Sequence, residues 1–249
     1  MLPNNFKPQK SNKYNLLRIG PRLDGGYIID KRIIKKSKTI ITCGLNDDWE
    51  FEKHFLKINP NSKVIAYDHT INEKFWKKRF KKDLLALLML KKLNLKKILD
   101  IFKYINYKIF FREKNIHILK KVVLNKKNKN EISIKEILNK KQNIVLKIDI
   151  EGDEYKILKA VKSNYHKINL LIIEFHNISK NMIKIKKFLS NSKLKIIHLH
   201  ANNYGGVDKF NNPKKILVNR KRSTEHYPIP GLDFKNLKRR EDIRLRFDD

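Results

Sequence analysis

The sequence predicts an α/β protein: a doubly wound, mostly parallel sheet with an antiparallel last strand pair and a helical insertion between its second and third strands. Three observations carry this. Apolar runs of strand length recur, most of them nearly continuous in Ile, Val and Leu, as strands covered on both faces read. Helical patterns separate them, and strand–helix alternation implies a parallel sheet. No Pro-, Gly- or Ser-rich linker divides the 249 residues, so one domain over 1–249 is expected.

The elements follow in order. Residues 1–37 form an N-terminal extension carrying RIGPRLDGGYIID (18–30), whose Gly25-Gly26 pair implies a tight turn or a close backbone approach. Strands are expected at 39–44 (TIITCG), 63–68 (KVIAYD), 116–124, 144–150 (IVLKIDI), 170–176 and 194–200 (LKIIHLH). Helices are expected at 50–56, 153–161 and 178–189. A last strand at 215–219 follows the Asn/Gly-rich turn 202–206, a spacing that suits an antiparallel hairpin. Residues 73–115 form the insertion, in which Leu95, Ile98, Leu99, Phe102 and Ile105 repeat at helical spacing.

Lys and Arg number 58 against 25 Asp and Glu, a net charge of +33 that invites nucleic acid, an anionic membrane face or a polyanionic substrate. Abundant Lys, Ile and Asn together also suit an AT-rich genome, which supplies lysine without selecting it for binding. The aromatics do not interleave with the basic residues as a base-stacking platform requires, so nucleic acid is the weaker expectation. The insertion alone holds 14 Lys and Arg against four acids, with Phe75, Trp76, Phe80 and the apolar run 84–90, which suits an anionic membrane surface. That run is far shorter than a membrane span. Cys43 is the only cysteine and reads as a small buried residue. It suits a reducing compartment, so the cytoplasm is expected, with the insertion at the membrane periphery. The first 13 residues lack the apolar core of a signal peptide.

Open α/β sheets bind ligands beyond the carboxyl ends of their strands. Gly44 ends the first strand and Asp68 the second, the layout of a nucleoside site in which the acid accepts from ribose hydroxyls. The loop after Gly44 lacks GxGxxG and holds Asp47, Asp48, Glu50 and Glu52. Those carboxylates repel phosphate but suit S-adenosylmethionine, with its sulfonium and ammonium; Asp47 or Asp48 also reads as a helix cap. Strand alternation puts Lys147, Asp149 and Glu151 on one face, and Glu174 with His176 on another. His176, His198 and His200 stand at neighbouring strand ends, where imidazoles can exchange protons near neutral pH.

LKIDIEGDEYKIL (146–158), followed by IIEFH (172–176) and HLHANNYGG (198–206), resembles the hallmark segments of FkbM-type methyltransferases in their order. RIGPRLDGGY (18–27) and TCGLNDDWEFE (42–52) resemble the branch whose first motif reads G-x-x-x-D-W-x-F-E. The resemblance runs from about Arg18 to Asn203 without the insertion. It implies a Rossmann-like fold, S-adenosylmethionine as cofactor, and O-methylation, often of sugars or secreted small molecules.

The expected reaction is methyl transfer to a hydroxyl of a glycan or small metabolite. Gly44, Asp47 and Asp68 would hold the cofactor, with Asp24, Gly25 and Gly26 closing over it. His176 is the first choice of base and His200 the second. Asp149 and Glu174, at adjacent strand ends, offer hard oxygen ligands to a divalent cation such as Mg2+. The metal-free reading pairs Lys147 with Glu151 and lets Glu174 orient a histidine. Two rivals stay open: an RNA methyltransferase, suggested by charge, and a non-catalytic basic surface or nucleic-acid binder with a decayed cofactor site.

Overall fold

The computed structural model describes residues 6–8, 14–22, 24–88, 102–190, 194–202, 206 and 215–221. Its main sheet has seven strands in the order β10-β11-β9-β8-β3-β4-β5. These are β3 (Thr39–Cys43), β4 (Lys63–Tyr67), β5 (Ile116–Ile118), β8 (Ile144–Ile148), β9 (Ile168–His176), β10 (Lys195–Ala201) and β11 (Lys215–Lys221). β5, β4, β3, β8 and β9 pair in parallel, whereas β11 runs antiparallel to both β9 and β10. The expected α/β class and antiparallel last pair are therefore present. Strand order reverses between β3 and β8, which is where such sheets open a ligand crevice.

Alternation along each strand feeds two apolar layers. Ile41, Cys43, Leu146, Ile148, Ile173 and Phe175 pack with Ile157 and Val161 of α6 (Glu154–Ser163) and with Ile185 and Phe188 of α7 (Ile178–Leu189). Their neighbours Ile40, Val64, Val145 and Ile172 pack instead with Ile33 and Ile34 of α1 (Lys31–Lys36) and with Phe51 and Phe55 of α2 (Glu50–Ile58). Both faces are covered, which is why β8 reads as an apolar run interrupted only by Lys147.

The N-terminal extension is more structured than expected. β1 (Leu16–Ile19) and β2 (Tyr27–Asp30) form an antiparallel hairpin leading into α1, which Asp30 caps by accepting from the Arg32 N–H. Gly25 has φ +82°, as the tight turn demands, and a Cβ at Gly26 would lie 2.0 Å from the Pro21 carbonyl oxygen. The close approach is to the hairpin's own backbone.

The expected third strand at 116–124 is two strands. The Lys120 N–H donates to Ile118 O and that of Lys121 to Asn130 O, so the chain turns out of the main sheet. β6 (Lys121–Val123) then pairs in parallel with β7 (Glu131–Ser133), ahead of α5 (Ile134–Leu138) and its Ser133–Glu136 capping box. β8 stops at Ile148, short of the expected 150, because left-handed Glu151 (φ 50°) and Gly152 (φ 103°) turn the chain into α6.

The insertion is helical at both described ends, α3 (Glu73–Leu88) and α4 (Lys103–Phe110). Its anchors are aromatic: Trp76 and Tyr107 pack on Trp49, with centroids 6.3 and 5.8 Å from it. Leu95, Ile98 and Leu99 of the expected apolar stripe lie outside the described residues. Phe102 and Ile105 are 50% and 53% exposed, so this part of the stripe faces outward. Among the described residues no helix is long and apolar enough to cross a membrane.

Candidate active site

At the carboxyl ends of β3, β4, β8 and β9 lies a cavity of about 670 Å³, within the usual range for small-ligand sites. Of the residues expected to act, Asp24, Gly25, Gly44, Asp47, Asp68, Asp149 and Glu174 line it. Gly26, His176 and His200 do not line it. Eight acidic residues and three lysines line this space, an acidic lining in a chain of net charge +33.

Gly44 is required by geometry. Its φ is +85°, and a Cβ there would stand 1.7 Å from the Asp149 carbonyl oxygen. The ends of β3 and β8 meet at this point, with the Asp149 N–H donating to Cys43 O at 2.8 Å. Burial pushes the Cys43 thiol up to about 12, which keeps it out of nucleophilic chemistry at neutral pH.

Asp68 does not present an open carboxylate to a ribose. Oδ2 accepts from the Leu45 and Asn46 N–H groups at 3.0 and 2.9 Å, and Oδ1 accepts from the N–H and hydroxyl of Thr70. Four protein donors fill the usual capacity of a carboxylate, so its work here is to staple the loop after β3. Burial alone would raise its pKa, but those hydrogen bonds prevail and lower it.

The four loop acids separate. Asp48 accepts from the Glu50 N–H and so caps the first turn of α2. Asp47 pairs with Arg79 of α3 and with Lys103 of α4, tying the insertion to the cavity rim. Glu50 pairs with Lys53. Glu52 is buried, accepts from the Thr42 hydroxyl at 2.6 Å and lies 3.5 Å from Lys147 Nζ.

That last contact corrects the alternation argument and the Lys147–Glu151 pair with it. Lys147 turns to Glu52, whereas Asp149 and Glu151, beyond the end of β8, turn to His176. His176 Nε2 lies 3.2 Å from Glu151 Oε2, 3.7 Å from Asp149 Oδ1 and 3.8 Å from Glu174 Oε1. On its other side, Glu154 Oε1 accepts from the His176 N–H at 2.8 Å and lies 3.2 Å from Nδ1. Burial alone would lower the imidazole pKa; the carboxylates of Glu151, Glu154 and Glu174 overcome this and hold it near 10. An imidazole enclosed this way is a poor proton acceptor, contrary to the expectation that made His176 the base.

His200 is corrected by topology. β11 inserts between β9 and β10, and Leu217 stands opposite both Glu174 and His200. The two are therefore a strand apart, roughly 10 Å across the sheet. What β10 sends to the site is Asn202, whose amide donates to Asp24 Oδ1 at 3.1 Å and Glu174 Oε1 at 3.0 Å. This links the hairpin turn to the sheet. Asn203 lies outside the described residues.

Two contributors were missed in the sequence. Glu154 is fully buried, and the only hint was an acid at the mouth of an apolar helix. Tyr27 lines the cavity, its phenol pKa raised by burial and then by Asp149 and Glu174. Its place directly after Gly25-Gly26 was the available sign.

No family model and no curated protein matches the chain. Among solved structures it is similar to a chain of the fibrillarin/Nop5p complex, at 10% identity and TM-score 0.41, covering 76% of this chain and 74% of that one. It is also similar to the Methanococcus jannaschii fibrillarin pre-rRNA processing protein, at 15% identity and TM-score 0.38, covering 87% and 86%. Precorrin-6y C5,15-methyltransferase from Geobacter metallireducens GS-15 follows at 10% identity and TM-score 0.37, covering 76% and 84%. At this depth of likeness, function has to be argued from the site itself.

Proposed function

We propose that this protein transfers a methyl group from S-adenosylmethionine to a hydroxyl of a glycan or small metabolite, as its resemblance to FkbM-type methyltransferases implies. The observation that carries this is the acidic cavity at the sheet's switch point in an otherwise basic chain. A dinucleotide would bring pyrophosphate to the start of α2, where Asp48 already takes the Glu50 N–H and Glu50 and Glu52 add negative charge. A ligand bearing sulfonium and ammonium charges suits this lining. Gly44, Asp24 and Gly25 would border it, with Asp68 holding the loop in shape and Asp47 anchoring the insertion as a cover.

When bound, the cofactor supplies an electrophilic methyl group; the chain must orient the acceptor and take its proton. Glu174 lines the cavity and is steadied by Asn202, so we assign it the proton in place of His176 and His200. Glu174→Gln is expected to slow turnover by roughly 10²–10⁴-fold while cofactor affinity holds, and His200→Ala to leave turnover unchanged.

Calorimetry tests the cofactor. S-adenosylmethionine or its demethylated product should bind at about micromolar Kd, on the order of −8 kcal/mol. Tight NAD binding with none of S-adenosylmethionine overturns the reading. The net charge favours a second acceptor, RNA, and radiolabelled methyl transfer to RNA but not to glycans would select it.

A further inference from the structure

We infer that Asp149, Glu151 and His176 form a binding site for one first-row divalent cation. One ligand atom from each lies within 4.8 Å of the others, close to the roughly 4.2 Å that separates opposed ligands at bond lengths of about 2.1 Å. The residues come from two neighbouring elements: the turn after β8 supplies both carboxylates, and the last residue of β9 supplies the imidazole.

The histidine is held as a metal ligand is held. Its side chain is only 4% exposed, and Nε2 points into the carboxylates, 3.2 Å from Glu151 Oε2 without the geometry of a good hydrogen bond. Nδ1 faces Glu154 at 3.2 Å, and Glu154 also accepts from the backbone N–H groups of His176 and Gly152. An ion here would displace the Nε2 proton; a carboxylate on the far nitrogen then keeps the remaining proton on Nδ1 and turns the Nε2 lone pair toward the metal, the usual outer support of a ligating histidine. Glu154 is thus a positioning residue.

One imidazole with two carboxylates favours Mn2+ or Zn2+ over the all-oxygen preference of Mg2+. This replaces the Asp149–Glu174 pair expected from strand ends. Asp149 and Glu151 line the cavity, so positions on the ion would remain open to it. On the methyl-transfer reading, the acceptor hydroxyl would bind there and become more acidic, with its proton passing to Glu174. The binding site itself does not depend on that reading.

The test is a Mn2+ titration of chelator-stripped full-length protein, followed by the electron paramagnetic resonance signal of free Mn2+. One ion per chain with a Kd of about micromolar is expected. Asp149→Asn and Glu151→Gln should each weaken binding at least tenfold, and Glu154→Gln by roughly 10–100-fold. Glu151 is 76% exposed, so its variant retains the fold, and exposed Glu113→Gln serves as the control that leaves binding unchanged. Absence of Mn2+ binding, or binding that survives the Asp149→Asn, Glu151→Gln double variant, overturns the site. Parallel calorimetry separates the two claims. S-adenosylmethionine binding without Mn2+ removes the ion alone, and Mn2+ binding without S-adenosylmethionine removes the methyl-transfer reading alone.

Discussion

Lys147 Nζ lies 3.5 Å from Glu52 Oε1, a buried ion pair between the central strand β8 and helix α2. The ammonium also stands 5.3 Å from the Tyr27 ring centroid and 5.4 Å from that of Phe51. Burial works against its charge, but Glu52, then Asp149 and Asp48, outweigh burial and raise its pKa. Removing one partner strands the other charge. Glu52→Leu is therefore expected to cost about 3–5 kcal/mol in chemical denaturation, and the Glu52→Leu, Lys147→Met double variant to recover most of it. A double variant no more stable than the single one would show that the pair does not carry this cost.

Asp68 yields a pH signature. Its folded pKa is lowered, so its contribution is present above the ordinary carboxylate value near 4 and is lost as pH falls through the folded value. Asp68→Asn should lose about 1–3 kcal/mol at pH 7, since four donors lose their charged acceptor. The gap between the variant and the parent should narrow as pH drops below about 4 and close only once it has passed the lowered folded value. Denaturation curves at pH 7, 5 and 3.5 measure this, and a constant gap would remove Asp68 as its source.

Cys43 should be silent in the folded protein. It is fully buried, with its thiol held near 12, so a disulfide reagent at pH 7.5 should find no reactive thiol until denaturant is added. Rapid labelling of the native chain would contradict this placement.

Exposed Phe80 and Leu85 on α3 lie among the exposed Lys77, Lys78, Lys81 and Lys82 of the same helix. Such a face suits an anionic bilayer, each well-placed lysine contributing ~1 kcal/mol at low salt. Sedimentation with anionic but not neutral vesicles is expected, weakened by high salt and by Lys77, Lys78→Glu. Arg79 is left unchanged because it engages Asp47. Equal pelleting with both lipids, or with neither, would reject a membrane role for this face.

Local rules made much of this fold legible. Runs nearly continuous in apolar residues marked β3, β4 and β8 because both sheet faces are covered. The 3.6-residue period marked α7 at 178–189, and Gly44 marked the end of β3. These depend only on neighbours along the chain.

Tertiary structure decided the rest, because side-chain partners depend on strand order and on where a strand ends. Alternation grouped Lys147 with Asp149 and Glu151, yet β8 ends at Ile148 and the turn beyond it breaks the period. Chain order made His200 a neighbour of Glu174, yet β11 enters between their strands and Asn202 reaches the site instead. Glu154 lies 22 residues from His176 in sequence and against its ring in space. The sequence by itself determined that β3, β4, β8 and β9 end near one another at a ligand site. Folding determined which acids surround His176 there, since that contact joins α6 to β9 and no local pattern records it.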